Sequence, residues 1–250
     1  MIMKIIAIIQ ARMESTRLPG KVLKTICGKP ILQHIIERVR FSKYLDEIII
    51  ATSNHKADDA IERFANKYNI SVYRGSQENV LQRFAECAKL YKADLIVRLT
   101  GDNTLVDSDI IDKGIETYQE EELDYLYYQE GLPIGMAVEI FRYEALVRAY
   151  KEASDKECLE HVTPYLYKNE DIFKIKRSVC KDKQLQKLRW TIDTEEDLKL
   201  VEAIYNELYP KYQEKFNLED IMLEYNQHPE WNKINNSVQQ VKVLYQGEQL

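Results

Sequence analysis

Short apolar runs recur along the first hundred residues, and each is followed by a polar loop and then by apolar positions at helical spacing. The runs lack the alternation of polar positions that a half-exposed strand shows, as expected of strands buried on both faces. They lie at 4–9, 47–51, 71–74 and 94–99, and helical spacing follows at 31–39, 57–68, 79–91 and 109–122. Strands that alternate with helices predict right-handed crossovers, so we expect a three-layer α/β fold around a doubly wound, mostly parallel sheet.

The pattern changes in the second half of the chain. Strand-like runs at 124–129 and 137–141 flank the turn residues Gly131, Pro133 and Gly135, which predicts an inserted hairpin. Helices are expected at 143–153, 159–167 and 195–208, and strands at 172–178 and 188–192. Thr194 is the expected N-cap of the last helix, because acidic residues fill the first turn that follows it.

Composition excludes several classes of protein. The chain has 250 residues, 45% of them hydrophobic, and a formal net charge of −6, whereas proteins that bind nucleic acids usually carry a basic surface. The longest apolar runs are too short to span a bilayer and the start lacks a signal-peptide pattern, so we expect a cytoplasmic protein without membrane contact. The four cysteines are widely spaced, which favours reduced thiols over a zinc site or disulfides.

A basic loop follows the first predicted strand. Residues 10–24 contain two arginines and two lysines against one glutamate, in a chain that is acidic overall. Ligands of doubly wound sheets bind at the carboxyl ends of the strands, so this loop is a candidate anion site. It is not a Walker A loop, because Ser15 and Val22 stand where that motif needs Gly and Ser or Thr.

The loop reads A-R-M-E-S-T-R-L-P-G-K at 11–21, and it resembles the triphosphate loop of cytidylyltransferases that activate sugar acids. The 3-deoxy-manno-octulosonate and acylneuraminate cytidylyltransferase-like enzymes are examples, and the spore-coat-polysaccharide branch is the most similar. The resemblance covers about residues 4–208, and it implies a Rossmann-like nucleotidyltransferase fold that binds CTP. By that resemblance the nucleotide contacts in this loop are Gln10, Arg12, Ser15, Arg17 and Lys21.

Two further segments resemble the metal-binding elements of the same family. R-L-T-G-D-N at 98–103 matches its short G-D element, and W-T-I-D-T-E-E-D-L at 190–198 matches its closing V-D-T-x-E-D-L element. The resemblance makes Asp102 and Asp193 ligands of Mg²⁺, which usually takes one or two protein carboxylates. It also makes Asp102 a nucleotide contact, whereas Asp197 is expected to serve the helix N-terminus.

The segment G-S-Q-E-N-V-L-Q-R at 75–83 resembles a third element of the spore-coat branch. It implies that Gly75 and Ser76 approach the nucleotide. Arg83 is expected to contact phosphate, to cap local structure or, as is common within helices, to be a solvated or salt-bridged side chain.

Two segments resemble the acceptor side of that branch, G-M-A-V-E-I-F at 135–141 and E-H-V-T-P-Y at 160–165. They place Glu139, His161 and Thr163 in the acceptor pocket or at a dimer wall. Where relatives have Asp before V-E, this chain has Ala137, so the acceptor stays open. We expect a domain at 1–210, with an acceptor and dimerisation insertion at about 123–170, and an extension at 211–250 of unknown role. The protein is expected to form a homodimer.

The predicted reaction is attack of an acceptor hydroxyl on the α-phosphorus of CTP, with Arg12, Lys21, Asp102 and Asp193 as the catalytic set. The expected acceptor is a small sugar acid used for surface polysaccharides or glycoconjugates. Three alternatives remain open. A phosphorylated acceptor would give a CDP-linked product, and Asp107-Ser-Asp109 has the spacing of a glycosyltransferase metal motif, although it lies at a predicted helix start. The third is a catalytically inactive binding protein.

Overall fold

The computed structural model describes residues 3–239 of the chain. Its strands are β1 (Ile5–Gln10), β2 (Thr25–Ile26), β3 (Lys29–Pro30), β4 (Glu47–Ser53), β5 (Ser71–Gly75), β6 (Leu95–Thr100), β7 (Tyr125–Tyr128), β8 (Val138–Arg142) and β9 (Ile175–Ser178). Its helices are α1 (Ile31–Val39), α2 (Asp59–Lys67), α3 (Val80–Leu90), α4 (Ser108–Glu121), α5 (Tyr143–Glu152), α6 (Lys156–His161), α7 (Pro164–Tyr167), α8 (Glu195–Tyr212) and α9 (Leu218–Gln227).

Seven of these strands form one sheet in the order β5-β4-β1-β6-β8-β7-β9, and β2 and β3 form a separate short pair. Strands β5, β4, β1 and β6 are mutually parallel, β8 is antiparallel to both of its neighbours, and β7 pairs parallel with β9. The predicted three-layer, mostly parallel α/β fold is therefore confirmed. The predicted hairpin is confirmed as the antiparallel pair of β7 and β8.

Strand β1 lies in the middle of the fold because its residues are apolar on both faces. Ile6 and Ile8 pack into the core on one side of the sheet, and Ile5, Ala7 and Ile9 pack into the core on the other. All five side chains are at most 4% exposed. Since both faces are covered by helices, polar side chains of these strands concentrate at the strand ends, where the site is found.

Two predicted elements were wrong. The helix expected at 159–167 is split into α6 and α7, because Val162 adopts φ 72° and ψ −57° and interrupts the helical backbone. The strand expected at 188–192 is an extended segment with a single bridge, from Ile134 to Arg189. Backbone hydrogen bonds to Ile134 and Asp102 hold this segment, but they do not extend into a ladder.

Residues 213–239 pack against the main core. Asn217 caps α9 with a capping box, and Phe216, Ile221, Tyr225 and Trp231 are each at most 5% exposed. These aromatic and apolar side chains belong to the same core cluster as β1 and α8. The separate role expected for 211–250 remains a prediction, and residues 240–250 lie outside the described part. Within residues 3–239, no helix has the length and apolar character needed to cross a membrane.

Candidate active site

The basic loop after β1 is held in a closed shape by its backbone. The amide of Gly20 donates to the carbonyl of Met13 at 2.8 Å, and Gly20 adopts φ 70°, which favours glycine. The amide of Met13 donates to Oδ1 of Asp58 at 2.7 Å, which ties the loop to the residue before α2. The hydroxyl of Ser15 accepts from the amide of Leu18 at 3.4 Å, so Ser15 is used within the loop.

Lys21 brings together the two carboxylates that the sequence assigns to a metal. Its Nζ donates to Oδ2 of Asp102 at 2.8 Å, to Oδ1 of Asp193 at 2.8 Å and to the carbonyl of Ile192 at 2.7 Å. These three bonds use all three hydrogens of the ammonium group. Lys21 is only 8% exposed, so the cluster is largely shielded from water. The predicted set of Lys21, Asp102 and Asp193 therefore converges on one point.

The charges in this cluster stabilise one another. Burial by itself lowers the pKa of Lys21, but the negative charges of Asp102 and Asp193 outweigh burial and raise it. Burial likewise tends to raise the pKa of Asp193, but Lys21 first, and then Arg17 and Arg189, lower it. The Lys21 ammonium and the Asp193 carboxylate therefore each stabilise the charge of the other.

Asp193 uses its two oxygens differently. Oδ1 accepts from Lys21, whereas Oδ2 accepts from Arg189 at 2.5 Å and lies 3.0 Å from the guanidinium of Arg17. The amide of Asp193 donates to Asp197 Oδ2 at 3.0 Å, and Asp197 completes a capping box with Thr194. The expectation that Asp197 serves the helix N-terminus is confirmed.

Asp102 follows β6 at the point where that strand approaches the end of β1. The amide of Gly101 donates to the carbonyl of Gln10 at 2.8 Å, and a Cβ on Gly101 would lie 3.1 Å from the same oxygen. The hydroxyl of Thr100 donates to Asp102 Oδ1 at 2.5 Å, which leaves Oδ2 for Lys21. Because β1 and β6 are adjacent parallel strands, their carboxyl ends place the basic loop and the carboxylate side by side.

Arg83 is neither solvated nor salt-bridged. It is 1% exposed, one guanidinium nitrogen donates to the carbonyl of Ser76 at 3.0 Å, and its Nε has no hydrogen-bond partner. Burial lowers the pKa of Arg83 to about 10; the charge of Asp58 opposes this and that of Arg12 adds to it. Arg12 is exposed and makes no hydrogen bond or ion pair with residues 3–239. The two guanidinium groups therefore lie within electrostatic range of each other, and neither forms an ion pair with a carboxylate of residues 3–239.

Gly75 and Ser76 shape the turn above Arg83. A Cβ on Gly75 would lie 2.9 Å from Cγ of Arg83 and 2.9 Å from the ring of Tyr73, so the backbone passes close to both. The hydroxyl of Ser76 accepts from the amide of Asn79, the N-cap of α3, at 3.0 Å. The structure thus brings Gly75, Ser76 and Arg83 together, and Arg83 lies within electrostatic range of Arg12.

Glu139 and Thr163, from distant segments, meet in a buried polar network. Glu139 is 8% exposed, and its Oε1 accepts from the hydroxyls of Tyr125 at 2.7 Å and Thr163 at 2.6 Å. Its Oε2 pairs with Arg98, whose other terminal nitrogen donates to Oε1 of Gln10 at 3.3 Å. Both oxygens of Glu139 are therefore occupied by protein groups, and Arg98 links this network to the end of β1.

His161 lies at the end of α6, next to a strained turn. The amide of Thr163 donates to the carbonyl of His161 at 2.9 Å across Val162, which adopts φ 72° and ψ −57°. This γ-turn geometry is rare, especially for a β-branched residue. Within residues 3–239 the His161 ring makes no hydrogen bond or ion pair, so it does not join Glu139 and Thr163.

Sequence reasoning did not single out Arg189, Arg98 or Asp58. Arg189 holds Asp193 and Arg98 holds Glu139, whereas Asp58 holds the basic loop through the Met13 amide. Arg189 stands four positions before Asp193, and a basic residue at that spacing was the available signal. Arg98 begins the R-L-T-G-D segment and faces Glu139 across β6 and β8. Nothing in the sequence pointed to Asp58, because its contact with the Met13 amide depends on the fold.

Other acidic groups are engaged elsewhere. Asp107 accepts from the amides of Asp109 at 2.9 Å and Leu218 at 2.9 Å, as expected of a helix N-cap. Glu207, Glu224 and His228 have ligand atoms within 4.8 Å of one another, but Lys211 already pairs with Glu224 at 2.6 Å. Asp102 and Asp193, by contrast, are the carboxylates that Lys21 joins at the basic loop.

The model of the cytidylyltransferase family matches residues 6–250 of this chain. An uncharacterized protein of Methanocaldococcus jannaschii is 38% identical over 244 residues, which are 95% of this chain and 97% of that protein. The spore coat polysaccharide biosynthesis protein SpsF of Bacillus subtilis is 35% identical over 80% of this chain and 86% of its own length. A 3-deoxy-manno-octulosonate cytidylyltransferase of Geobacter metallireducens is 39% identical over 45% of this chain and 44% of its own.

Among solved structures, a cytidylyltransferase from Leptospira borgpetersenii superposes with a TM-score of 0.85 and 32% identity, covering 96% of this chain and 99% of that one. A CMP:2-keto-3-deoxy-manno-octonic acid synthetase complexed with CTP superposes with a TM-score of 0.61 at 19% identity, over 82% of this chain and 99% of that one. The second likeness shows a shared fold.

Proposed function

The chain belongs to the cytidylyltransferase family, and on that premise we propose that it transfers CMP from CTP to a hydroxyl of a small sugar acid. The acceptor hydroxyl releases its proton to water and its oxygen forms a bond to the α-phosphorus. The bond from that phosphorus to the bridging oxygen breaks, and pyrophosphate leaves. The observation that carries the proposal is the convergence of Lys21, Asp102 and Asp193 beside the basic loop. Such a transfer depends mainly on positioning and on stabilisation of negative charge.

The two carboxylates fit a divalent cation. Lys21 Nζ lies 2.8 Å from both Asp102 and Asp193, so a single cationic centre already contacts the two side chains. Carboxylate oxygens suit Mg²⁺, which usually keeps water and substrate phosphate oxygens as its other ligands. We propose that Asp102 and Asp193 hold Mg²⁺ with the nucleotide. When bound, this ion supplies positive charge to the reacting phosphate.

The cations of the site divide into two groups. Arg17 and Lys21 lie at the carboxylates, whereas Arg83 lies against Gly75 and Ser76 and within electrostatic range of Arg12. We propose that the second group binds the triphosphate, because a guanidinium without a carboxylate partner is suited to accept an anion. Lys21 would then leave the carboxylates and donate to phosphate oxygens when nucleotide and Mg²⁺ arrive.

On the acceptor side, we propose that Arg98 and Thr163 face the substrate and that Glu139 positions both. Glu139 pairs with Arg98 and accepts from Thr163 at 2.6 Å, which fixes a cation and a hydroxyl at the edge of the basic loop. A cation here favours an acceptor with a carboxylate. His161 is a further candidate contact beside the strained turn. A cytoplasmic homodimer that pairs through the 123–170 region remains part of the proposal.

The proposal is tested by incubating the protein with Mg²⁺, each of the four NTPs, and a panel of sugar acids and phosphorylated polyols. We expect pyrophosphate only with CTP and a sugar acid, and a product mass that corresponds to a CMP ester. A CDP-linked mass would instead identify a phosphorylated acceptor. Hydrolysis of a nucleotide sugar, or transfer from it, would overturn the proposal in favour of a glycosyltransferase. No binding of any nucleotide would overturn it in favour of a binding protein.

The variants Asp102→Asn and Asp193→Asn test the metal assignment within the same assay. Each removes one charge from the pair while keeping the side-chain shape, and we expect turnover to fall by roughly 10²-fold or more. The matched control is Asp109→Asn, at the start of α4, which we expect to retain activity. Unchanged Mg²⁺-dependent turnover in both site variants would contradict the assignment.

A further inference from the structure

The last described part of the chain reaches the back of the candidate site through Asn235. This side chain is 6% exposed, and its Nδ2 donates to the carbonyl of Arg189 at 2.9 Å and to Oδ1 of Asp197 at 2.9 Å. One amide group therefore holds both the backbone of Arg189 and the carboxylate beside it.

Asp197 connects Asn235 to Asp193. Its carboxylate is fully buried, accepts from Arg189 Nε at 3.0 Å, and also accepts from the backbone amide of Asp193 at 3.0 Å. Arg189 in turn donates to Oδ2 of Asp193 at 2.5 Å. The position of Asp193 thus depends on Arg189 and Asp197, and Asn235 contacts both.

The segment that carries Asp193 is held by its backbone up to Ile192, where the amides of Trp190 and Ile192 donate to the carbonyls of Ile134 at 2.8 Å and Asp102 at 3.0 Å. The segment forms one isolated bridge instead of a strand, and the amide of Asp193 itself donates to a side chain, Asp197 Oδ2, at 3.0 Å. The extension adds a second contact here, since the Tyr225 ring lies 5.6 Å from the Trp190 ring and 5.7 Å from the Trp231 ring. Trp231 is buried in the turn that leads to Asn235.

We infer that Asn235 is a positioning residue for the metal-binding carboxylate of Asp193, and that the C-terminal segment is part of the active-site structure. The inference rests on the proposed function. Arg189 holds Oδ2 of Asp193, and Oδ1 is thereby directed toward Asp102 and Lys21. Without the Asn235 amide, Arg189 and Asp197 lose a shared donor, and two of the groups that orient Asp193 are held less firmly.

The chemistry of the amide explains why this residue type is suited to the position. Both bonds come from a single nitrogen to two oxygens, and an amide nitrogen supplies two hydrogens without adding charge. Aspartate here would offer only acceptors to the carboxylate of Asp197. Leucine would leave the Arg189 carbonyl and Asp197 Oδ1 without this donor inside the protein.

The test compares Asn235→Ala with Asn236→Ala, the exposed neighbour, in the full chain. Mn²⁺ serves as the probe, and its binding in the presence of CTP is measured by electron paramagnetic resonance alongside kcat and KM. We expect Asn235→Ala to weaken Mn²⁺ binding and lower kcat by about tenfold or more, because residues that orient metal ligands have effects of that size. Asn236→Ala is expected to match the wild type.

Two further measurements separate positioning from folding. Asn235→Ser keeps one donor and is expected to recover part of the Mn²⁺ affinity, whereas a purely structural role would change only the unfolding midpoint. Asn235→Ala combined with Arg189→Lys is expected to reduce Mn²⁺ affinity by less than the two single changes together, since both act through Asp193.

If the wild type binds Mn²⁺ and CTP but Asn235→Ala and Asn235→Ser leave that affinity and kcat unchanged, the inference is overturned and the proposed function stands. If the wild type binds neither, both are overturned.

Discussion

The ammonium group of Lys21 lies 2.8 Å from Oδ1 of Asp193, although the two residues are 172 positions apart in the chain. The same nitrogen lies 2.8 Å from Oδ2 of Asp102. Because Lys21 already occupies the space between these carboxylates, a divalent cation must compete with it. Metal and nucleotide are then expected to bind cooperatively, since the triphosphate offers Lys21 a new partner.

Lys21→Met separates these two roles of the lysine. Without the ammonium group, we expect the protein to bind Mn²⁺ more tightly in the absence of nucleotide, because no side-chain cation remains between Asp102 and Asp193. Turnover with CTP is expected to fall by roughly 10²-fold, because a donor to the phosphate is lost. Electron paramagnetic resonance and a pyrophosphate assay measure the two effects.

The control is Lys24→Met, which removes an exposed lysine that pairs only with Glu195, at 3.1 Å, among the described residues. We expect it to change neither the Mn²⁺ affinity nor the turnover by more than about twofold, because surface ion pairs contribute little. Equal Mn²⁺ affinity in Lys21→Met and the wild type would show that the lysine does not compete with the metal.

Gly135→Ala is expected to disturb the segment that carries Asp193. A Cβ at this position would lie 2.7 Å from the amide nitrogen of Thr191 and 2.8 Å from the carbonyl carbon of Trp190, so the segment that carries Asp193 would have to move. We expect lower CTP-dependent turnover and a loss of stability of roughly 1–3 kcal/mol, as strained backbone conformations typically cost. Activity and urea unfolding are the measurements.

Gly131→Ala is the matched control for that change. Gly131 also has positive φ, 69° against 102° for Gly135, but a Cβ there would meet no atom within 4 Å. Both variants carry the backbone penalty of an alanine at positive φ, and only Gly135→Ala adds the clash. If both variants lowered turnover equally, the clash with Thr191 would not be the cause of the loss in Gly135→Ala.

Thr163→Val tests whether the Glu139 network lies on the acceptor side of the site. Valine has nearly the same shape but cannot donate to Glu139, which accepts from the Thr163 hydroxyl at 2.6 Å. We expect a higher KM for the acceptor with an unchanged KM for CTP, because the network lies on the Arg98 side of the site. Steady-state kinetics with each substrate varied in turn measure this split, and Thr117→Val on α4 is the control. A change confined to the KM for CTP would contradict the assignment.

The pKa of Asp193 predicts how its contribution to stability varies with pH. The folded state lowers the pKa of Asp193 from its ordinary value of 3.8, so the charged carboxylate stabilises the fold at pH values above 3.8. That stabilisation is lost as the pH falls through the lowered pKa. We therefore expect Asp193→Asn to reduce the free energy of unfolding most above about pH 4 and progressively less below it. Urea unfolding between pH 2 and 7 provides the measurement, with exposed Asp171→Asn as the control. A cost that grew toward low pH would contradict the ion-pair account.

The sheet could be predicted from the sequence because its strands are buried on both faces. Runs such as Ile5–Gln10 contain no alternation, and the helices that follow have a single apolar face. The break at Val162 could not be predicted, since a β-branched residue at φ 72° goes against local preference and is maintained by tertiary contacts. Leu188 to Ile192 reads as a strand by composition, but no neighbouring strand is available to pair with it beyond the one bridge.

The candidate site was predicted where a motif and a strand end coincide. Lys21, Asp102 and Asp193 each follow from a segment with a recognisable pattern, and the structure brings all three together. Arg83 was ambiguous because sequence cannot distinguish a buried helical arginine from a solvated one. Asn235 was missed, because its segment is polar and its contacts depend on how the chain returns to Arg189.

The bond from Asn235 to Arg189 also has a consequence for synthesis of the protein. The basic loop and β1 leave the ribosome early, whereas Asp193 and Asn235 belong to the last quarter of the chain. Domains fold as their residues emerge, and contacts between distant residues form late. A nascent chain that has reached the end of α8 therefore has its basic loop but lacks Asn235. If Asn235 positions Asp193 as proposed, we expect the chain to acquire metal-dependent nucleotide binding only after residue 235 has left the exit tunnel.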